Sequence, residues 1–148
     1  GATGKTSEAS VKAAFGLDDG ALIDMGDFAG GLLKYLRRHP VPRLTIAGGF
    51  AKLTKLAQGA LDLHSARSQV DFERLAQVAS GLGGDDIARQ VRTANTAAEA
   101  LDIATGLPLA DVIAAQARSV ALATLAGGVQ VDVFVVDRKG ERVGYAAP

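Results

Sequence analysis

Arg43-Leu44-Thr45-Ile46-Ala47-Gly48-Gly49-Phe50-Ala51-Lys52-Leu53 passes from a short apolar run, through paired glycines, into helical spacing. Phe50, Leu53, Leu56 and Ala57 recur at intervals that put them on one helix face, and Gly59 closes the run. An earlier stretch has the same order. Ala21-Leu22-Ile23-Asp24-Met25 reads as a strand and Gly26 as a turn; Asp27 then starts a helix with Phe28, Leu32, Leu33 and Leu36 on one stripe, stopped by His39-Pro40. Two strand-glycine-helix units in succession predict a parallel sheet with right-handed crossovers. The expected fold is therefore a three-layer, Rossmann-like α/β domain with a mostly parallel sheet.

On the amino-terminal side, Thr6 or Ser7 is expected to cap a helix over residues 6–15 that carries Val11, Ala14 and Phe15 and ends at Gly16. After Asp71 the pattern is helical alone for about fifty residues. Asp71 caps a helix with Phe72, Leu75, Ala79 and Leu82, residues 81–84 break it, and Ile87 and Val91 mark the next. Thr96-Ala97-Ala98-Glu99 has capping-box spacing. Pro108 opens a helix whose Leu109, Val112, Ile113, Val120, Leu122 and Leu125 fall on several faces, which predicts burial; Asp111, Gln116 and Arg118 argue against a membrane span. Residues 129–136 read as a strand, and Asp137-Arg138-Lys139-Gly140 turns into a second one at 142–145, giving a C-terminal β-hairpin at a sheet edge. Gly30-Gly31 interrupts a helix at a cost of about 1 kcal/mol per glycine, and close packing against a neighbour is the expected reason.

Composition narrows the function. The 148 residues fit a single α/β domain spanning 1–148, and 48% hydrophobic content excludes a disordered tail. Lys plus Arg equals Asp plus Glu at 16 each, so there is no general attraction to nucleic acid or an anionic membrane. Aromatic residues at 5%, with no Trp, provide few platforms for stacking bases. The absence of Cys removes disulfides, thiolate nucleophiles and Cys-bound metal. The opening Gly1-Ala2-Thr3-Gly4-Lys5 has no signal-peptide pattern, so the cytoplasm is the default compartment. Almost no chain precedes the Gly4 loop, although it stands where a cofactor-binding turn follows a first strand. The chain is therefore expected to be part of a longer protein.

Ligands of open α/β sheets bind beyond the carboxyl ends of the strands, where turns converge and helix N-termini present free N–H groups. Three loops qualify, and they supply the expected cofactor-binding residues: Thr3, Gly4, Thr6 and Ser7; Gly26 and Asp27; Gly48, Gly49 and Lys52. The polar segment Leu61-Asp62-Leu63-His64-Ser65-Ala66-Arg67-Ser68-Gln69-Val70-Asp71 is denser in functional groups than a connection needs, and His64, Ser65 and Arg67 are the expected catalytic residues. His64 suits hydrogen bonding or proton transfer. Adjacent His and Ser seldom adopt triad geometry, and no G-x-S-x-G elbow is present. With His39 at a helix end and no ligand spacing, no metal site is expected. Lys55 is read as a solvated helix charge, and Arg37-Arg38-His39 as a basic helix C-terminus.

The residues Ala2-Thr3-Gly4-x-Thr6-Ser7-Glu8, Met25-Gly26-Asp27-Phe28, Leu44 to Leu53 and Asp62-Leu63-His64-Ser65-x-Arg67-Ser68-Gln69-Val70-Asp71 together resemble the CbiD family. These are the cobalt-precorrin-5B (C-1) methyltransferases of cobalamin biosynthesis. The resemblance implies the carboxy-terminal portion of an enzyme that moves a methyl group from S-adenosylmethionine to a cobalt-precorrin. The missing amino-terminal half would then be a partner, and the isolated portion would be inactive. No catalytic residue is carried over by the resemblance. Which loops take donor or tetrapyrrole, and whether the domain self-associates, stay open.

A non-catalytic domain that holds an anionic small molecule is the alternative, and a P-loop NTPase comes third. Gly4-Lys5-Thr6 matches only the end of G-x-x-x-x-G-K-[ST], without the first glycine or the preceding strand. Calorimetric titration is accordingly expected to show no specific binding of ATP with magnesium. Micromolar, magnesium-dependent binding would bring the NTPase reading to the front.

Overall fold

Val131, Val133 and Val135 alternate with Asp132, Phe134 and Val136, and all six are buried, so the strand carrying them, β2 (Gln130–Val136), is covered on both faces. In the computed structural model, which describes residues 1–148, it is the middle strand of three. β1 (Arg43–Gly49) pairs with it in parallel, from Arg43 opposite Gln130 to Gly49 opposite Val136. On the other side β3 (Arg142–Ala146) is antiparallel, forming the expected hairpin with an irregular register between Val135 and Val136. The domain is α/β, but its sheet is mixed, with one ladder of each kind.

Five of the seven helices lie between β1 and β2: α3 (Phe50–Ala57), α4 (Phe72–Gly81), α5 (Asp85–Arg92), α6 (Ala97–Ile103) and α7 (Leu109–Leu125). Together with α2 (Ala29–Arg38), they build the main core against Leu44, Ile46, Val131, Val133 and Val135. α1 (Lys5–Phe15) meets the other sheet face, where Val11 joins Ala47, Phe134 and Val136 and the Phe15 ring meets Phe134 edge-on at 5.9 Å. No helix is long and apolar enough to cross a membrane.

Side-chain capping explains two of the seven α-helix starts, those of α4 and α6. Asp71 accepts from the amide of Arg74 at 3.1 Å, and Thr96 from that of Glu99 at 3.1 Å, while the Glu99 carboxylate accepts from Asn95 N at 2.9 Å. At α1 the expectation needs correction. Gly4 is the cap, and Ser7 lies in the first turn with its hydroxyl donating back to Gly4 O at 3.0 Å. The helix ends as expected, at a left-handed Gly16 (φ 61°).

Other expectations also shift. Residues 21–25 do not form a strand: Asp19–Ala21 is a 3-10 turn, and only Asp24 bridges, in parallel, to Ala2. Ile23 is 42% exposed and Met25 is the one residue of the run that is buried, so the run lacks the alternating covered face that would hold it in a ladder. α2 starts at Ala29, which leaves Phe28 outside it and exposed. Gly48 and Gly49 end β1 and pair with Val135 and Val136 instead of making a turn. In α7 the fully covered stripe is largely small, with Ala110, Ala114, Ala117 and Ala121 buried, whereas Val112, Val120 and Leu122 are only partly so. Gly30 does pack closely: a Cβ there would come 2.9 Å from that of Leu61, and its amide donates to Leu61 O at 2.9 Å.

The small stripe lets α7 lie against β3. A Cβ on Gly144 would sit 2.5 Å from Ala110 O and 2.6 Å from Ala110 C, which are backbone atoms that cannot move aside alone. Gly144→Ala is expected to destabilise the domain by about 1–3 kcal/mol, the usual scale for overpacking. Gly81→Ala, where the Cβ meets nothing within 4 Å, should be neutral or gain up to about 1 kcal/mol. Urea melts of the two variants check the contrast.

Candidate functional site

Parallel pairing gathers the candidate loops. Ala2 bridges Ala47 on one side and Asp24 on the other, both in parallel, so Gly4, Gly26 and Gly49 leave the sheet at the same edge. β2 runs the same way, and the turn after Val136 joins them. A cleft of about 670 Å³ opens there, lined by residues 3–7, 49–52, 96–98 and 136–139 together with Leu101 and Asp102.

Of the expected cofactor-binding residues, Thr3, Gly4, Thr6, Ser7, Gly49 and Lys52 line this cleft. Gly48 stands behind Thr3: a Cβ on it would lie 2.9 Å from Thr3 Cγ2 and 3.1 Å from Leu53 Cγ, so its small size seats Thr3. Gly26 and Asp27 are outside the wall, but Asp27 forms an ion pair with Lys52, which is in it. The hydrogen bond from Lys52 is the main reason the Asp27 carboxyl titrates below its ordinary range; partial burial opposes this, and the charges of Lys52, His64 and Lys55 assist it.

The first turns of α1 and α3 face the cleft, and first-turn amides have no intrahelical acceptor. Lys5, Lys52, Arg138 and Lys139 line it against only Asp102 and Asp137. Asp137 is already engaged, accepting from the amides of Lys139 at 2.8 Å and Glu141 at 3.0 Å. The donor set suits an organic ligand with carboxylate or hydroxyl groups.

His64, Ser65 and Arg67 are exposed and do not line the cleft. Their segment is nevertheless fastened beside it. Leu63 N donates to Asp27 O at 2.8 Å, and Lys55 Nζ donates to Leu63 O at 3.0 Å. Farther along, the Gln58 side chain exchanges two hydrogen bonds with the backbone of Asp71, at 2.9 and 2.8 Å. Lys55 is thus buried and holds a loop, which corrects its reading as a solvated charge. Ala66 N donates to His64 Nδ1 at 3.1 Å, so the neutral ring carries its proton on Nε2. No three His, Asp or Glu side chains assemble as a metal-ligand set.

A family model described as "CbiD, C-terminal domain" matches residues 62–147. The chain belongs to the CbiD family. A protein of Halorhodospira halophila, named cobalt-precorrin-5B C(1)-methyltransferase, is 57% identical over 150 residues, covering 99% of this chain and 40% of that one. Its namesake in Brucella ovis is 58% identical over 144 residues, covering 95% and 39%, respectively. The chain spans about two fifths of the length of these curated relatives. No solved structure matches it.

Two parts of this CbiD-family cleft escaped the sequence reading: the start of α6 at Thr96 and the turn at residues 137–139. The signals were present, since Val136 ends a strand and Thr96 caps a helix. A third omission is Asp132. It is fully buried and accepts from Arg43 Nε at 3.1 Å, Arg43 Nη2 at 2.9 Å, Thr45 Oγ1 at 2.7 Å and Tyr145 Oη at 2.9 Å. This cluster lies toward the amino ends of β1 and β2, away from the cleft.

Burial is the largest single influence on Asp132 and would raise its pKa, but the hydrogen bonds from Arg43, Thr45 and Tyr145 together outweigh it and lower the pKa. A carboxyl with a lowered folded-state pKa stabilises the fold above its unfolded value of about 4 and loses that contribution as pH falls through the folded value. Asp132→Ala is expected to cost about 3 kcal/mol, since Arg43 is half-exposed and can rehydrate while Thr45 and Tyr145 lose their acceptor. Chemical denaturation should show this deficit at pH 7 and a smaller one below about pH 4.

Proposed function

We propose that this chain is the carboxy-terminal part of a cobalt-precorrin-5B C(1)-methyltransferase, a single α/β domain that works with the remainder of a longer enzyme. The observation that carries this reading is 57% identity to a protein of that name over 99% of the chain. The methyl donor is S-adenosylmethionine and the acceptor a cobalt-precorrin of cobalamin biosynthesis. A cytoplasmic location belongs to the same reading. Parallel bridges at Ala2 and helices against both sheet faces support a three-layer, Rossmann-like arrangement of the enzyme around this sheet.

The cleft fits a ligand the size of the donor, because its volume of about 670 Å³ falls within the usual range for small-molecule sites. Thr3, Gly4, Thr6, Ser7, Gly49 and Lys52 would hold it: the first-turn amides of α1 and α3 for a carboxylate, the threonine hydroxyls for polar groups. Asp27 fixes Lys52 at the wall, and Gly26 ends the approach to Asp27 with a left-handed turn (φ 57°). When bound, the sulfonium supplies an electrophilic methyl group for the C-1 carbon. Neither a metal ligand nor a covalent nucleophile is required of the chain, since positioning and exclusion of water provide much of the acceleration.

His64, Ser65 and Arg67 are assigned to the acceptor side. Arg67 offers a guanidinium for a tetrapyrrole carboxylate, and Ser65 a hydroxyl. The His64 ring, whose Nδ1 accepts from Ala66 N, presents its Nε2 edge. Asp27 O and Lys55 hold the adjoining Leu63 backbone, so the segment keeps its place beside Lys52.

The complete enzyme is expected to methylate the cobalt-precorrin at C-1 when given S-adenosylmethionine. His64→Ala and Arg67→Ala should each lower turnover at least about tenfold, while melting stays within a few degrees, as for surface changes of about 0.5 kcal/mol. Full specific activity in a variant that unfolds readily would make that residue a structural anchor. Binding of the donor without transfer by the complete enzyme would favour the binding-domain reading.

A further inference from the structure

Gly31 lies within α2, where glycine weakens a helix. The atoms nearest to where its Cβ would stand belong to the Phe28 ring, with Cε1 at 2.6 Å, so the missing side chain leaves room for that ring to lie on the helix. Yet Phe28 is 64% exposed. A helix that gives up propensity to seat an exposed aromatic ring gains little from it within this domain.

The same face continues. Tyr35, two turns on, is 60% exposed and stacks on His39 with ring centroids 4.4 Å apart. Ala29, Leu33 and Leu36 point the opposite way, into the core. Lys34 and Arg38 flank the rings, and neither forms an ion pair. Exposed rings on a rigid element, bordered by unpaired cations, are the composition of a contact surface.

We propose that this face of α2 docks the amino-terminal part of the longer enzyme, through an apolar patch edged with carboxylates. The occupant follows from length: the chain spans 40% of a relative's length, and the matching family model is that of a carboxy-terminal domain, so most of the relative lies in an earlier part that needs a surface here. The position suits a shared site. α2 begins two residues after Asp27, the partner of the cleft residue Lys52. The inference rests on the reading of the chain as the carboxy-terminal part of that enzyme.

The test is thiol labelling of the full-length enzyme carrying Tyr35→Cys, read by mass spectrometry of the peptide containing that position, with Gln90→Cys on α5 as the exposed reference. Position 35 should label at least tenfold more slowly than position 90, with no change on dilution. Equal rates would overturn the proposal, and so would protection that vanishes on dilution, which would assign the face to a second copy. If Tyr35→Cys does not fold, Phe28→Cys reads the same face. Labelling requires no turnover, so failure of the methyltransferase reading would appear in the activity assay and leave this measurement intact.

Discussion

The parallel pairing of β1 with β2 is the constraint on which the rest of the structure depends. Its register puts Thr45 opposite Asp132, and that one alignment lets a carboxylate without solvent access collect donors from Arg43, Thr45 and Tyr145. A slip of one residue would turn Asp132 toward the apolar helix layer that now covers Val131, Val133 and Val135 and leave it without partners. Hydrophobic burial favours many arrangements of valines; the buried acid tolerates only one.

The same register determines where ligands can sit. Strands that run one way release their chains at one edge, and the bridges of Ala2 to Ala47 and Asp24 bring in two more loops. Helices α1 and α3 then start side by side with their amide donors toward a common cleft. The domain separates its tasks spatially: the charged cluster that secures pairing is near the amino ends of the strands, and the open cleft is at the carboxyl ends. Substitutions at one end can alter stability with little effect on the cleft at the other.

Much of the fold was legible in the sequence because local signals carried it. Asp71 and Thr96 cap helices where their spacing says they should, Gly16 ends α1, and the alternation in 129–136 marks a strand. Failures came where burial decided the matter. Residues 21–25 have the apolar content of a strand but bury only Met25, and Lys55 has the spacing of a surface lysine but reaches Leu63 O inside the protein. The candidate cleft was legible in part, since the strand-end rule picks out the loops at 3–7 and 49–52 that line it. Applied equally to the end of β2, it would have found 137–139 as well.

The sequence by itself determined the helices, the hairpin and the class of the domain, because capping, periodicity and turn chemistry act over a few residues and need no partner. It also carried the resemblance to the CbiD family, since that rests on side chains in order along the chain. Only the tertiary structure decided the mixed sheet, the meeting of α6 and the 137–139 turn with the Gly4 loop, and the burial of Asp132 and Lys55. Those features join residues far apart in the chain, and their energies come from register and desolvation, which exist only after the strands have paired.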